Sequence, residues 1–216
     1  MRAAVHDRYG EADVVRVADL PDPRPRPGTV LVRIEAAGVD PGVWHLMAGR
    51  PRAVRVATGL RRPRQPVLGS AFAGVVVELG DGVEGYAVGD PVMGTASGAF
   101  AELAVARADK IARKPASIGF AEAAAIPVSA VTALQTLRDA LRVRAGDRLL
   151  VLGAAGGVGS IAVQLGAALG ADVTGAASAG KLELVRSLGA EVAIDYAASD
   201  PLAAGPYDAI LDAGGG

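Results

Sequence analysis

Two hydrophobic patterns divide the chain and predict different elements in its two parts. In the first part, apolar positions alternate with polar ones or form short runs, as in TVLVRIEAAGV (29–39) and GSAFAGVVVELG (69–80). Alternation with β-branched residues is typical of half-buried strands. Two more short strands are predicted within 91–107, and the Pro-rich stretch 21–28 is predicted to be an extended connector. We therefore expect a β-rich N-terminal part.

Beyond residue 118 the pattern changes to helices that alternate with buried strands. The Ala- and Leu-rich stretch 119–141 has helical spacing after Pro127, and a turn and a short buried strand follow it. The next elements are predicted as helix, strand, helix, strand and strand, at 157–170, 171–178, 179–190, 191–196 and 209–216. Elements in this order and spacing form a parallel, doubly wound sheet.

The pattern predicts an α/β protein with two domains and no internal repeat. A β-rich domain is expected over 1–118, and an α/β domain over 119–216. A six-stranded dinucleotide-binding sheet consists of two mononucleotide halves. The second domain supplies the first half and about one strand of the other, so we expect an incomplete Rossmann sheet.

Composition excludes several classes of function. Hydrophobic residues make up 51% and charged residues 21% of the 216 positions, which is ordinary for a folded protein with a core. The net charge of −1 provides no overall field toward nucleic acid or a membrane. No Cys is present, which excludes disulfides, thiolate zinc sites and Cys nucleophiles and fits a reducing compartment. Neither a signal peptide nor a long uninterrupted apolar run is found, so we expect a cytoplasmic protein without a membrane span.

A Gly-rich turn after the strand near 150 is the first candidate site. Its sequence is VLGAAGGVGS, and in the G-x-G-x-x-G register the positions are Ala154, Gly156 and Gly159, so the first Gly is replaced. Such a turn lets the backbone approach a pyrophosphate, and the helix that follows directs free N–H groups at it. The alternative is a Gly turn without a ligand. The predicted cofactor-binding residues of the turn are Gly153, Ala155, Gly156, Gly157, Val158 and Gly159.

The end of the second strand indicates which dinucleotide binds. NAD sites place an Asp or Glu there to bind the ribose, but this strand ends in Ala-Ala-Ser178. Lys181 follows in the first turn of the next helix, where a cation opposes the helix dipole and a 2′-phosphate would relieve that conflict. Ser178 could instead be only an N-cap, and Tyr196 only a strand-end aromatic. Together Ser178, Lys181 and Tyr196 favour NADPH.

Other candidate residues lie in the N-terminal part. His45, in VWHLMAG, could donate a proton to a reduced substrate, and a polar loop His without a role is the alternative. His6 is expected to be structural or exposed. The stretch 49–66 carries six Arg and no acid, so it could attract the phosphates of NADPH or an anionic substrate, or be a solvated basic loop. Aromatic residues are not interleaved with it, so no nucleic-acid surface is predicted.

Taken with these motifs, the chain resembles the zinc-independent medium-chain dehydrogenase/reductases, and among them the NADPH quinone oxidoreductase-like (zeta-crystallin-like) proteins. The resemblance covers essentially the whole chain, through GTVLVRIEAAGVDP, PVLGSAFAGVVVELG, the Gly-rich turn and YDAILDAGGG. It implies a GroES-like N-terminal domain, a Rossmann domain, and hydride transfer from NADPH to a quinone, enone or related carbonyl compound. In the family, Ser178, Lys181 and Tyr196 match positions that contact the 2′-phosphate, and Thr132 matches a Thr near the cofactor.

The chain departs from the family pattern at three places. The zinc-ligand segment GHE is LGSAFAG here and Cys is absent, so no metal is expected. Asp40 and Val43 replace the usual Asn and Asp, and since that Asn lies near the nicotinamide, Asp40 joins His45 as a candidate catalytic residue. Family members continue well beyond residue 216, so the chain is expected to be C-terminally truncated, with the usual homodimer edge in the absent part.

Three functional hypotheses follow. The leading one is an NADPH-dependent oxidoreductase that acts on a small quinone, enone or carbonyl substrate. The second is a nucleotide-binding protein without catalysis, which the residues at Asp40 and Val43 favour. The third is a fragment that needs a partner to complete its sheet, because a doubly wound sheet cut after its fourth strand exposes an edge.

Overall fold

The computed structural model describes residues 1–214, and they form two compact units. The first unit is Met1–Val128 and the second is Ser129–Gly216. The division falls inside a helix, Phe120–Gln135, further along the chain than the predicted boundary after residue 118.

An antiparallel five-stranded sheet is the centre of the first unit, which confirms the predicted β-rich N-terminal part. Its strand order is β6-β3-β4-β5-β7, and a separate two-stranded sheet pairs β1 with β2. The strands are β1 Arg2–Val5, β2 Arg16–Asp19, β3 Thr29–Ala37, β4 Ala71–Leu79, β5 Pro91–Thr95, β6 Leu103–Arg107 and β7 Ile111–Arg113. Short 3-10 turns lie at Ala12–Val14, Arg52–Val54 and Ala108–Lys110.

The core of this unit follows directly from the apolar positions of its strands. Val30 and Val32 on β3 and Phe72 and Val76 on β4 are fully buried and belong to one hydrophobic cluster. The pairing of β3 with β4 shifts register at two places, between Leu31 and Val32 and between Ile34 and Ala36. Such irregularities increase the local twist of a sheet.

Two short helices of the first unit, α1 Pro41–Ala48 and α2 Arg55–Thr58, were not predicted from the sequence. The end signals of α1 are nevertheless present. Asp40 is the N-cap, Pro41 is the first helical residue, and Gly49 ends the helix in the left-handed conformation at φ 61°. These residue types are the preferred ones at these helix positions.

The helix that spans the division, α3 Phe120–Gln135, begins before the stretch in which helical spacing was predicted. Pro127 lies inside it and does not end it. Its backbone continues into one π-helical turn, Thr136–Ala140. By length and composition Phe120–Ala140 could cross a membrane, a test that core helices also pass. Of the most apolar part of this stretch 28% is buried, and the absence of a membrane span stays a prediction from the sequence.

The second unit confirms the parallel sheet. Strand order is β10-β9-β8-β11 with all pairs parallel, which is the order of the first four strands of a dinucleotide-binding sheet. Its elements are β8 Arg148–Leu152, α4 Gly157–Ala168, β9 Asp172–Ala177, α5 Leu182–Ser187, β10 Val192–Asp195 and β11 Ala209–Asp212, with 3-10 turns at Ala179–Lys181 and Pro201–Ala204. The last two residues of the predicted strand 209–216 lie outside the described residues.

Candidate functional site

The predicted Gly-rich turn joins the carboxyl end of β8 to the start of α4. Gly153 has φ 71°, a left-handed conformation that glycine adopts without strain, and its carbonyl accepts a hydrogen bond from Gly156 N at 2.9 Å. Gly156 is the N-cap of α4 and has no side chain to cap it. The first N–H groups of α4 are therefore left for another acceptor, and an anion is the ligand that a helix N-terminus favours.

Close packing of α4 on the sheet explains two more glycines. A Cβ at Gly159 would collide with the carbonyl oxygen of Gly153. At Gly166, a Cβ would lie 2.7 Å from Leu149 Cδ2 on β8. The helix can approach the strand this closely only because both positions lack a side chain, and that approach places the helix start beside the turn.

Ala154, which replaces the first Gly of the fingerprint, fits its position for a packing reason. Its N–H donates to Ala176 O on β9 at 2.9 Å, and its side chain is fully buried. A Cβ built at Gly175 on the same strand would lie 3.0 Å from the Ala154 Cβ. A methyl group is accommodated here, so the replacement leaves the turn intact.

The three residues predicted to recognise the 2′-phosphate follow two neighbouring strand ends. Ala177 on β9 pairs with Asp195 on β10, so Ser178 and Tyr196 continue from the same edge. The Tyr196 N–H donates to Ala177 O at 3.3 Å. Lys181 N donates to Ser178 O at 2.8 Å, which folds the chain into the 3-10 turn. All three side chains are exposed.

The polar groups around this edge leave it open to an anion. The Ser178 side chain makes no capping hydrogen bond, although the residue stands at an N-cap position. Asp195, the carboxylate at the end of β10, is half-buried and accepts from Ala197 N at 3.0 Å within its own turn. The edge thus presents a hydroxyl, an ammonium and a phenol.

Thr132, the remaining predicted cofactor residue, lies on α3 and is exposed. Its carbonyl accepts a hydrogen bond from Thr136 Oγ1 at 2.8 Å. Sequence reasoning missed its helix neighbour Ser129, whose Oγ would lie 3.1 Å from a Cβ at Gly157. Residues three apart share a helix face, so the face of α3 that carries Thr132 comes close to the Gly-rich turn. That spacing was visible in the sequence.

Asp40, predicted as a catalytic candidate, caps α1. Its Oδ1 accepts from Val43 N at 3.3 Å, while its Oδ2 is buried without a hydrogen-bond partner. Asn and Asp are both good N-caps, so an Asn at this position could cap α1 in the same way. Val43 is buried in the first unit rather than presenting a polar group.

His45, the other catalytic candidate, lies in the last turn of α1 and not in a loop. Its side chain is exposed, and Nδ1 lies 3.2 Å from the carbonyl oxygen of Arg50. Its ring packs edge-on against Trp44, with 4.9 Å between the ring centroids. Trp44 Nε1 in turn donates to Glu11 Oε2 at 2.8 Å. These contacts order the end of α1, so His45 has a structural role, whether or not it also donates the proton as predicted.

A cavity in the first unit includes His6, which the sequence predicted to be structural or exposed. The cavity is about 300 Å³ and has a mainly apolar lining that includes Val43, Leu68 and His6. His6 is only 4% exposed, its Nδ1 has no hydrogen-bond partner, and burial lowers the pKa of its imidazole. No three potential metal ligands gather anywhere within residues 1–214.

Comparison with known proteins agrees with this architecture. The alcohol dehydrogenase GroES-like domain family matches residues 26–116. A chloroplast envelope quinone oxidoreductase homolog of Arabidopsis thaliana is 34% identical over 100% of this chain and 69% of its own length. An Arabidopsis NADPH-dependent alkenal/one oxidoreductase is 36% identical over 91% of the chain and 52% of its length. A pikromycin polyketide synthase component of Streptomyces venezuelae is 44% identical over 76% of the chain, which is 4% of that protein.

Solved structures share the fold over nearly all of the chain. The quinone oxidoreductase of Coxiella burnetii superposes with a TM-score of 0.88 at 34% identity, covering 100% of this chain and 69% of that one. A mycobacterial protein complexed with NADPH gives 0.79 at 33% identity, with 90% and 58% covered. An NAD-dependent alcohol dehydrogenase also gives 0.79 at 33% identity, with 91% and 64% covered.

Proposed function

Because the chain belongs to the quinone oxidoreductase-like medium-chain dehydrogenase/reductase family, we propose that it is a zinc-independent, NADPH-dependent reductase. Its substrate would be a quinone, or an alkene or carbonyl compound of the enone type. The chain spans about two thirds of the Arabidopsis quinone oxidoreductase homolog and about half of the alkenal/one oxidoreductase. The oxidoreductase class comes from the family, and the cofactor and substrate are proposals.

The observation that carries the cofactor proposal is the edge formed by Ser178, Lys181 and Tyr196. An exposed ammonium and two hydroxyls follow the ends of β9 and β10, and β9 ends in Ala-Ala without a carboxylate. A carboxylate at that place would bind a ribose 2′-hydroxyl and repel a 2′-phosphate. The relatives include proteins described with NADPH and with NAD, so they do not decide between the two.

The Gly-rich turn fits the rest of a dinucleotide. Gly156 leaves the N-terminus of α4 uncapped, and Gly159 lets that helix lie against the turn. Backbone N–H groups there would hold the diphosphate, and the face of α3 with Ser129 and Thr132 would bound the site. When bound, the cofactor supplies the hydride, and the protein contributes binding and orientation.

The residues available for proton transfer are few. His45 is exposed and its Nδ1 is occupied by Arg50 O, which leaves Nε2 as its free ring nitrogen. Asp40 has an unpartnered Oδ2 but caps α1 through Oδ1. We propose that Asp40, as the N-cap, orients the start of α1, and that His45 or solvent provides the proton to the reduced substrate. Without Cys, the chain has no thiolate ligand for the zinc used by related dehydrogenases.

Replacing Lys181 by Ala tests the cofactor. The variant should bind NADPH at least tenfold more weakly, since one charge-assisted contact is worth about 1.5–3 kcal/mol, and should bind NADH as the parent does. Arg186→Ala is the matched control, because Arg186 is an exposed cation on the neighbouring helix α5. If titration shows that the parent binds NADPH and NADH with equal affinity, the NADPH proposal is wrong.

The same preparations separate catalysis from binding alone. NADPH oxidation is followed with a panel of quinones and enones, and we expect saturable turnover in the parent and a raised NADPH KM in Lys181→Ala. Tight NADPH binding without turnover, unchanged by Asp40→Asn, would instead select a nucleotide-binding protein without catalysis. A cytoplasmic location and a homodimer stay predictions from the sequence.

A further inference from the structure

The cavity that contains His6 lies beside the helix that Asp40 caps. Val43 and Leu46 of α1 line it, together with Leu68 before β4. Its volume of about 300 Å³ suits a small molecule or the reactive end of a larger one. The lining is mostly apolar, so an alkene-bearing group would be accommodated there.

His6 connects this cavity to a second, more open recess. The recess is about 460 Å³ and shares the residues His6, Pro63 and Arg64 with the cavity. His6 is 4% exposed, and its Nδ1 has no hydrogen-bond partner. That nitrogen has almost no solvent-accessible surface, so His6 contributes a wall shared by the cavity and the recess rather than a hydrogen bond to a ligand.

The recess is positively charged by two arginines. Arg62 and Arg64 line it, and Asp7 is the one carboxylate among its lining residues. None of the six Arg side chains in 49–66 forms an ion pair with any residue that the structure describes. Arg64 makes one long contact, from Nη1 to Ala57 O at 3.4 Å. The guanidinium groups of Arg62 and Arg64 are thus available to an anion.

Other contacts hold the conformation of the segment 49–66, so it does not depend on the side chains of Arg62 and Arg64. Arg55 stacks on the Tyr9 ring at 4.4 Å and donates to Gly49 O at 3.0 Å. Tyr9 also donates to Gly59 O at 2.7 Å, which fixes the end of α2. Arg62 has no comparable contact within the described part of the chain.

We propose that the recess is an oxyanion subsite, and that the preferred substrate is an alkene that carries a carboxylate or another oxyanion. The apolar, alkene-bearing part lies in the cavity against Val43, Leu46 and Leu68. The oxyanion lies between Arg62 and Arg64, in the part of the recess that adjoins the cavity at His6, Pro63 and Arg64. This inference rests on the proposed reductase function and narrows its substrate class.

The test compares two matched enones, 4-oxopent-2-enoate and its methyl ester, in the full chain with NADPH. The Arg62→Gln/Arg64→Gln variant should lose at least tenfold in the ratio of kcat/KM for the carboxylate to that for the ester, through KM, because two charge-assisted contacts are removed. The Arg52→Gln/Arg61→Gln variant removes the same charge from the same segment outside both cavities, and its ratio should match the parent's.

Binding of the carboxylate is also measured without NADPH, from the fluorescence of Trp44, the single Trp. The Kd of the carboxylate should rise at least tenfold in Arg62→Gln/Arg64→Gln only. An equal rise in the control pair would mean a general field effect, and a comparable rise in the Kd for NADPH would mean that these arginines serve the cofactor; either result overturns the subsite. If neither enone is reduced, the reductase proposal fails, while the Trp44 titration still decides the subsite.

Discussion

Gly159 lies where the backbone of α4 comes closest to the turn after β8. The sequence singled out this residue as a phosphate-binding glycine, and the structure adds the steric reason, because a Cβ there would meet the Gly153 carbonyl oxygen. Asp40 is a similar case at the other candidate site. It was selected for chemistry, and its observed contact is the cap of α1. At both positions a local packing contact constrains a residue that the sequence had selected for function.

Gly159→Ala should therefore lower both stability and NADPH affinity. Overpacking at a backbone contact costs about 1–3 kcal/mol, so we expect the free energy of unfolding to fall by about 2 kcal/mol. Gly119→Ala is the control, since a Cβ at Gly119 would meet only Glu122 Oε2, at 3.6 Å, and the residue lies outside the proposed cofactor site. Denaturant unfolding and NADPH titration measure the two effects. If Gly159→Ala unfolds and binds like Gly119→Ala, the close approach of α4 to the turn is not a constraint.

At the scale of elements, the contact between β9 and α5 determines which side chains the strand can carry. Gly175 lies in the middle of β9, and a Cβ there would collide with Cγ1 of Val185 on α5. Val185 is fully buried. The strand therefore carries a glycine because the helix presents a branched side chain at that point.

A double-mutant cycle tests this contact. Gly175→Ala and Val185→Ala should each lower the free energy of unfolding by about 2 kcal/mol, the first by a clash and the second by a cavity. In the double variant the new methyl occupies space that the Val185 side chain vacated. Its free energy of unfolding should therefore fall by about 1 kcal/mol less than the sum of the two single-variant losses. Strict additivity in urea unfolding would show that the two side chains do not compete for the same space.

For the molecule as a whole, surface charge contributes little to stability. The ion pairs of the described residues join mostly exposed side chains, and such pairs are each worth about 0–1 kcal/mol. The two units are instead held by separate hydrophobic clusters, around Phe72 in the first and Leu149 in the second. A buried titratable group stands out against that background, and His6 is the buried polar side chain of the described chain.

Stability should consequently fall as the pH drops from about 7 to 5. Burial lowers the pKa of His6 in the folded chain, so below about pH 6.5 the unfolded chain takes up a proton that the folded chain does not. The carboxyls of Glu102, Asp109 and Asp139 have lowered pKa values, so their protonation affects stability only at lower pH. His6→Gln should reduce the dependence of the free energy of unfolding on pH between pH 7 and 5. Val5→Ala should lower the free energy of unfolding at every pH and leave its pH dependence unchanged. A parent slope retained in His6→Gln would contradict this assignment.

In the second unit, the amino-acid sequence determined the strand and helix order, the parallel sheet and the place of the Gly-rich turn, because periodicity and turn residues are local signals. It also located Ser178, Lys181 and Tyr196, since strand ends in a parallel sheet share one edge. It did not predict α1, although Asp40, Pro41 and Gly49 mark both its ends.

Tertiary structure alone decided the rest. The approach of Ser129 to Gly157 and the convergence of His6 with Arg62 and Arg64 on neighbouring cavities depend on contacts between residues far apart in the chain. No local pattern encodes such contacts, because cavities and orphaned polar atoms arise only when separate segments pack together. The sequence thus predicted the cofactor residues, whereas the proposed anion subsite came only from the packing of the first unit.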